Sequence, residues 1–199
     1  MNLLRGIRIA AYGGIALVVV ALTIWFLSGD AGKPPPAGLA IGGPISLTSQ
    51  TGEAFDSATL AGQPYVVFFG FTHCPEVCPT TLYELSRDLK ALDPESKDLR
   101  VLFVTVDPER DTPAFLADYL ANFDPRVIGL TGTPEQIATA AKSFHVFYEK
   151  VPTSDGSYTM NHTALAFLMD RHGKFFGTLD YEENDEVKLQ KLTRLLREG

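Results

Sequence analysis

The chain has 199 residues, 45% hydrophobic and 21% charged, with a net charge of −7. That composition belongs to a globular protein and excludes a disordered one. Only Arg5 and Arg8 precede Asp30, so 15 basic residues face 24 acidic ones from there on, a balance of −9 that excludes nucleic acid as a partner.

In chain order, residues 9–27 come first: 19 positions without an acidic, basic or carboxamide side chain. At ~1.5 Å per residue they reach ~28 Å, close to the ~30 Å hydrocarbon core of a bilayer. Arg5 and Arg8 before the run and Asp30 after it leave the N-terminus in the cytoplasm. The run is longer than a secretory signal core and no small-x-small site follows Trp25, Phe26 and Leu27, so an uncleaved anchor is preferred to a cleaved signal. No Ser- and Arg-rich transit peptide precedes it, which points to a bacterial inner membrane with the following domain in the periplasm. The organisation expected is a cytoplasmic N-terminus over 1–8, an anchor over 9–27, a Pro/Gly-rich linker over 28–43 and one domain over 44–199. Pro34, Pro35 and Pro36 make that linker a stiff, extended spacer.

Residues 44–60 suit a small hairpin, and 65–69 (YVVFF) a buried central strand. A helix is expected over 79–92, with Leu82, Leu85, Leu89 and Leu92 at helical spacing. Residues 100–106 read as a second buried strand, and Thr112–Pro113 opens another helix with Thr as cap and Pro first. A short strand over 126–130 precedes a helix opened by Thr133, Pro134 and Glu135 and running to about Phe144. Strands over 163–169 and 174–179 flank the turn Asp170–Gly173, and an amphipathic helix over 182–197 closes the chain. Strand–helix alternation followed by a hairpin gives an α/β domain with a mixed sheet.

The two cysteines, Cys74 and Cys78, sit where a buried strand runs into a helix. Pro79 prefers the first helical position, which places Cys78 at the cap and Cys74 in the loop before it. Free N–H groups and the positive helix end favour thiolate there. A single disulfide over so short a loop would constrain the unfolded chain little, so reactivity explains the pair better than stapling. Two thiolates make a soft site that selects Cu(I), zinc or an iron–sulfur centre. Zinc and clusters usually take more cysteines than two, whereas Cu(I) accepts three ligands, so one imidazole completes the set.

Four histidines compete for that place. His162 precedes the strand over 163–169 and can fold over the cysteine loop. His172 suits a solvent-facing turn, His145 a helix end, and His73 points away from Cys74 if the backbone is extended. An ordinary loop histidine is the alternative reading of His162. Met160 is either a soft ligand or packing, and Asp107 either lies near the metal or makes Asp-Pro turn chemistry. A thiol–disulfide redox centre remains the rival function, although C-x-x-x-C is one residue longer than the thioredoxin motif.

Residues 69–82 (FGFTHCPEVCPTTL), 106–113 (VDPERDTP), 129–135 (GLTGTPE) and the region of His162 closely resemble the signature of the Sco/SenC copper chaperones. The resemblance extends over residues 40–197 in the expected order. It implies a thioredoxin-like fold and assembly of the dinuclear copper centre of cytochrome c oxidase subunit II. It also implies that Cys74, Cys78 and His162 bind copper, as Cu(I), Cu(II) or both. Exchange with other copper carriers, a reversible Cys74–Cys78 disulfide and reduction of the target's cysteines follow from the same resemblance. The alternative is a periplasmic thiol–disulfide oxidoreductase; a copper-responsive signalling domain would use the same residues. Two positions depart from the family pattern: Asn161 stands where Asp often precedes the histidine, and Pro75-Glu76-Val77 separates the cysteines. Loss of the Asp charge bears on copper affinity or oxidation-state preference.

Overall fold

The computed structural model describes residues 40–199, and Tyr12 ahead of them. The rest of the expected anchor over 9–27 and the proline-rich stretch lie outside the described residues. Among the described residues no helix is long and apolar enough to cross a membrane.

The strongest apolar run, Tyr65–Gly70, forms strand β3 and is buried at every position. Such a run needs cover on both faces, and β3 accordingly lies inside a seven-stranded mixed sheet. It pairs in parallel with β4 (Arg100–Thr105), which pairs in parallel with β5 (Val127–Thr131). Helix α1 (Val77–Ala91) makes the first crossover and α2 (Pro113–Leu120) the second. At one edge, β1 (Ser46–Ser49) runs antiparallel to β5 and forms the early hairpin with β2 (Ala54–Asp56). On the other side of β3, β8 (Leu165–Met169) is antiparallel and carries β9 (Phe175–Asp180) in the expected hairpin. Helix α3 (Pro134–Ser143) follows β5, and α4 (Asp185–Glu198) ends the chain. The central mixed sheet flanked by helices is the architecture expected. Phe69, Phe144 and Phe167 meet in its core with ring centroids 5.3 to 6.4 Å apart.

Three local differences from expectation have physical causes. Helix α1 begins at Val77, two residues early, so Cys78 lies inside the first turn rather than at the cap. Pro79 is tolerated as third helical residue because the N–H it lacks has no acceptor within the helix. Between α3 and β8 stands a two-stranded ribbon, β6 (Tyr148–Pro152) against β7 (Tyr158–His162), outside the main sheet. Its polar composition carries no clean alternation, so the sequence reads as loop up to His162. Ile41 packs on the core and the Gly42 N–H donates to the Ser143 carbonyl at 2.8 Å, so the last spacer residues lie against the domain.

Candidate metal centre

β3 and β4 run parallel, so their carboxyl ends share one edge of the sheet, where α/β proteins hold ligands. The β3–α1 loop carries Cys74 there. β8 runs the other way, with Ala166 opposite Phe68, so the chain just before β8 arrives at the same edge. This reversal brings His162 to the cysteines across 84 positions.

One ligand atom each from Cys74, Cys78 and His162 lies within 4.8 Å of the others. The Cys78 sulfur is 3.5 Å from His162 Nε2, and the two cysteines are not joined in a disulfide. His162 Nδ1 lies 3.0 Å from the Thr163 carbonyl oxygen, an acceptor, so Nδ1 carries a proton and Nε2 is the nitrogen that faces the sulfurs. Phe71 packs edge-on against the imidazole at 5.7 Å. The sulfur of Cys78 needs Gly70: a Cβ at that glycine would stand 2.9 Å from it and 2.7 Å from the Phe103 ring.

The two sulfurs are electrostatically unlike. Glu76 provides no side-chain cap for α1, and the Cys78 N–H, unpaired within the helix, donates to the Cys74 sulfur at 3.4 Å. The Cys78 thiol, above all, holds the Cys74 thiol down at about 4; burial opposes this, and His162 and the Cys78 and Glu76 N–H groups assist. Hydrogen bonding to Cys74, then burial, pushes the Cys78 thiol far up. The pair is one thiolate sharing the proton of one thiol.

The loop is fixed by a carboxylate that the sequence did not single out. Asp111 is fully buried and accepts from Thr72 N at 3.1 Å, from Thr72 Oγ1 at 2.5 Å and from Thr105 Oγ1 at 2.5 Å. Burial pushes its carboxyl up against those bonds, which favour the anion. Asp107 does more than turn chemistry but does not join the metal group: it accepts from Tyr158 on the ribbon at 3.0 Å and pairs with Arg110. The bonds from Thr72 to Asp111 and from Tyr158 to Asp107 span 39 and 51 positions, so the local sequence does not disclose them.

The remaining candidates fall outside the cluster. His73 sits in a turn closed by the Cys74 N–H on the Phe71 carbonyl, not in extended backbone, and stacks on Phe115 at 5.3 Å. His145, at φ 54°, follows the C-cap of α3, and Val146 N–H returns to Ala141 O, a helix-closing motif. His172 is exposed in the β8–β9 turn, as expected. Met160 packs against the core on the face of β7 that His162 shares.

Two sulfurs and an imidazole at the carboxyl edge of a thioredoxin-like sheet are a donor set that could hold a soft metal ion, and the paired thiols are equally the material of redox chemistry. The family model of SCO1/SenC matches residues 33–197, and the chain belongs to that family. A SCO2-like protein of Rickettsia prowazekii is 37% identical over 169 residues, covering 80% of this chain and 82% of that one. The mitochondrial SCO1 homolog of Homo sapiens is 39% identical over 153 residues, covering 75% of this chain but 48% of the human protein. Among solved structures, Bradyrhizobium japonicum ScoI with copper bound is 47% identical with a TM-score of 0.72, covering 78% of this chain and 99% of that one. Yeast Sco1 with copper bound is 32% identical with a TM-score of 0.74, covering 80% and 90%.

Proposed function

We propose that this chain is a membrane-anchored copper chaperone in which Cys74, Cys78 and His162 hold one copper ion for delivery to the dinuclear copper site of cytochrome c oxidase subunit II. The observation that carries the reading is the convergence of those three ligand atoms within 4.8 Å. The donor set fits the ion. Two sulfurs suit Cu(I), and an imidazole nitrogen lets the same site accept Cu(II). Relatives of 47% and 32% identity whose structures hold copper support the choice of metal. Cys74 already offers a thiolate, so loading requires loss of one proton, from Cys78. Copper arrives from another carrier and leaves by ligand exchange with the docked acceptor.

Residues 9–27 anchor the chain in the bacterial inner membrane, the proline-rich spacer after them spans the gap, and the domain, whose packing begins at Ile41, works in the periplasm. The apolar run and the charges flanking it support this placement. A second reading, a thiol–disulfide oxidoreductase that prepares the thiols of subunit II, is favoured by the thiolate on Cys74 beside a buried partner thiol. The soluble domain of subunit II separates the two. The chaperone reading expects His162→Ala to abolish formation of the dinuclear copper chromophore from the copper-loaded protein. Undiminished transfer by that variant, with disulfide reduction lost only when a cysteine is replaced, would leave the reductase reading in its place.

A further inference from the structure

We infer that Arg110 is a positioning residue that sets the reach of His162 toward the two sulfurs. The inference rests on the reading of Cys74, Cys78 and His162 as copper ligands. A two-stranded ribbon is marginal alone, so β6–β7 depends on its attachments to the domain. At its root the ribbon's own ladder is prolonged by the Thr163 N–H, which donates to the Phe147 carbonyl, and by the Phe147 N–H, which donates to Thr163 Oγ1. Toward its other end one attachment to the domain is Tyr158, the first residue of β7, whose hydroxyl donates to Asp107 at 3.0 Å.

Arg110 joins these parts. Its Nε pairs with the Asp107 carboxylate and its Nη1 donates to the Tyr158 carbonyl at 3.0 Å. Its Cζ stands 3.8 Å from the Tyr158 ring centroid and 5.9 Å from that of Phe71. Lys150, paired with Glu109 at 2.7 Å, brings a second cation to within 3.9 Å of the Tyr158 ring. Phe71 in turn meets the His162 ring edge-on. Lys150, Tyr158, Arg110, Phe71 and His162 therefore form one continuous chain of contacts.

Tyr158 and His162 are four residues apart, ~13 Å along an extended strand, too far for the tyrosine to touch the imidazole. Arg110 and Phe71 connect the two from the domain side, and Met160 stands between Tyr158 and His162 on the same face of β7. Phe71 also lies on the loop that carries Cys74, so one guanidinium touches both the histidine's ribbon and the thiols' loop. The planar fork is needed: a lysine ammonium, a single point charge, cannot pair with Asp107 and reach the Tyr158 carbonyl while standing against the Tyr158 ring.

The test is Cu(I) affinity by chelator competition, with Cu(II) paramagnetic resonance of the imidazole nitrogen as second readout. Arg110→Ala is expected to weaken copper by about 10- to 100-fold, the usual effect of losing a group that orients a metal ligand, and to weaken the nitrogen signature. Arg110→Lys recovers only part of the affinity. In a His162→Ala background, Arg110→Ala changes affinity by less than about twofold, because the effect runs through the imidazole. Wild-type affinity and spectrum in Arg110→Ala, or an equal loss in both backgrounds, would overturn the inference. Should Arg110→Ala not fold, Tyr158→Phe, which removes only the hydroxyl on Asp107, must show a smaller loss of the same kind, and wild-type behaviour there overturns it too. Unchanged affinity in His162→Ala alone would instead sink the ligand reading itself.

Discussion

At the scale of single residues, the two thiols differ first because Cys78 hydrogen-bonds to the Cys74 sulfur, and then because Cys78 is buried in a first helical turn while Cys74 is half-exposed in a loop. The Cys74 pKa lies at about 4, below the ~8.5 of a free thiol, so the thiolate is present above that value and lost only in acid. Alkylation of Cys74 by iodoacetamide should therefore run at a nearly constant rate from about pH 6 to 8, where an unperturbed thiol speeds up about tenfold per unit. Cys78, protonated and enclosed, should stay unmodified. Mass spectrometry of the two peptides would show it, and a Cys74 rate that climbs steeply with pH would contradict the asymmetry. The cysteines were legible from their place before a helix, since unpaired N–H groups follow from any helix start. His162 is the preferred of four candidates by its place before a strand, with an ordinary loop histidine as the rival, and the resemblance adds to that preference; the antiparallel course of β8 explains its arrival. Asp111 was not legible, because its partners Thr72 and Thr105 identify it only once two strand ends share an edge.

At the scale of elements, hydrophobic runs and caps located β3, β4 and the helices α2 and α3 to within a residue or two, because burial and capping are local properties. The ribbon β6–β7 was missed because side chains of the domain body hold it, not its own pattern. Helix α4 is tied down in a similar way: Lys188, almost wholly buried, reaches Glu84 of α1 at 2.7 Å and the Tyr181 carbonyl at 3.1 Å. Removing one partner leaves the other charge in a poorly solvated place. Lys188→Ala should cost about 3 kcal/mol in urea unfolding, while the folded fraction keeps its copper affinity. A loss below about 0.5 kcal/mol would show that the pair is solvated like a surface bridge.

At the scale of the molecule, the sheet supplies a rigid platform and the site occupies the edge where strand ends and loops meet. The sulfurs come from the loop after a fully buried strand, and the imidazole from the end of a ribbon latched at a distance. Copper that binds only the folded chain also stabilises it, by about 2.7 kcal/mol at a free concentration about 100 times Kd. The direct test of the account is a Cu(I) titration of the reduced protein against a competing chelator. It predicts one tight site per chain, lost when either Cys74 or Cys78 is replaced by Ala and weakened when His162 is. Affinity left untouched by either cysteine replacement would contradict it.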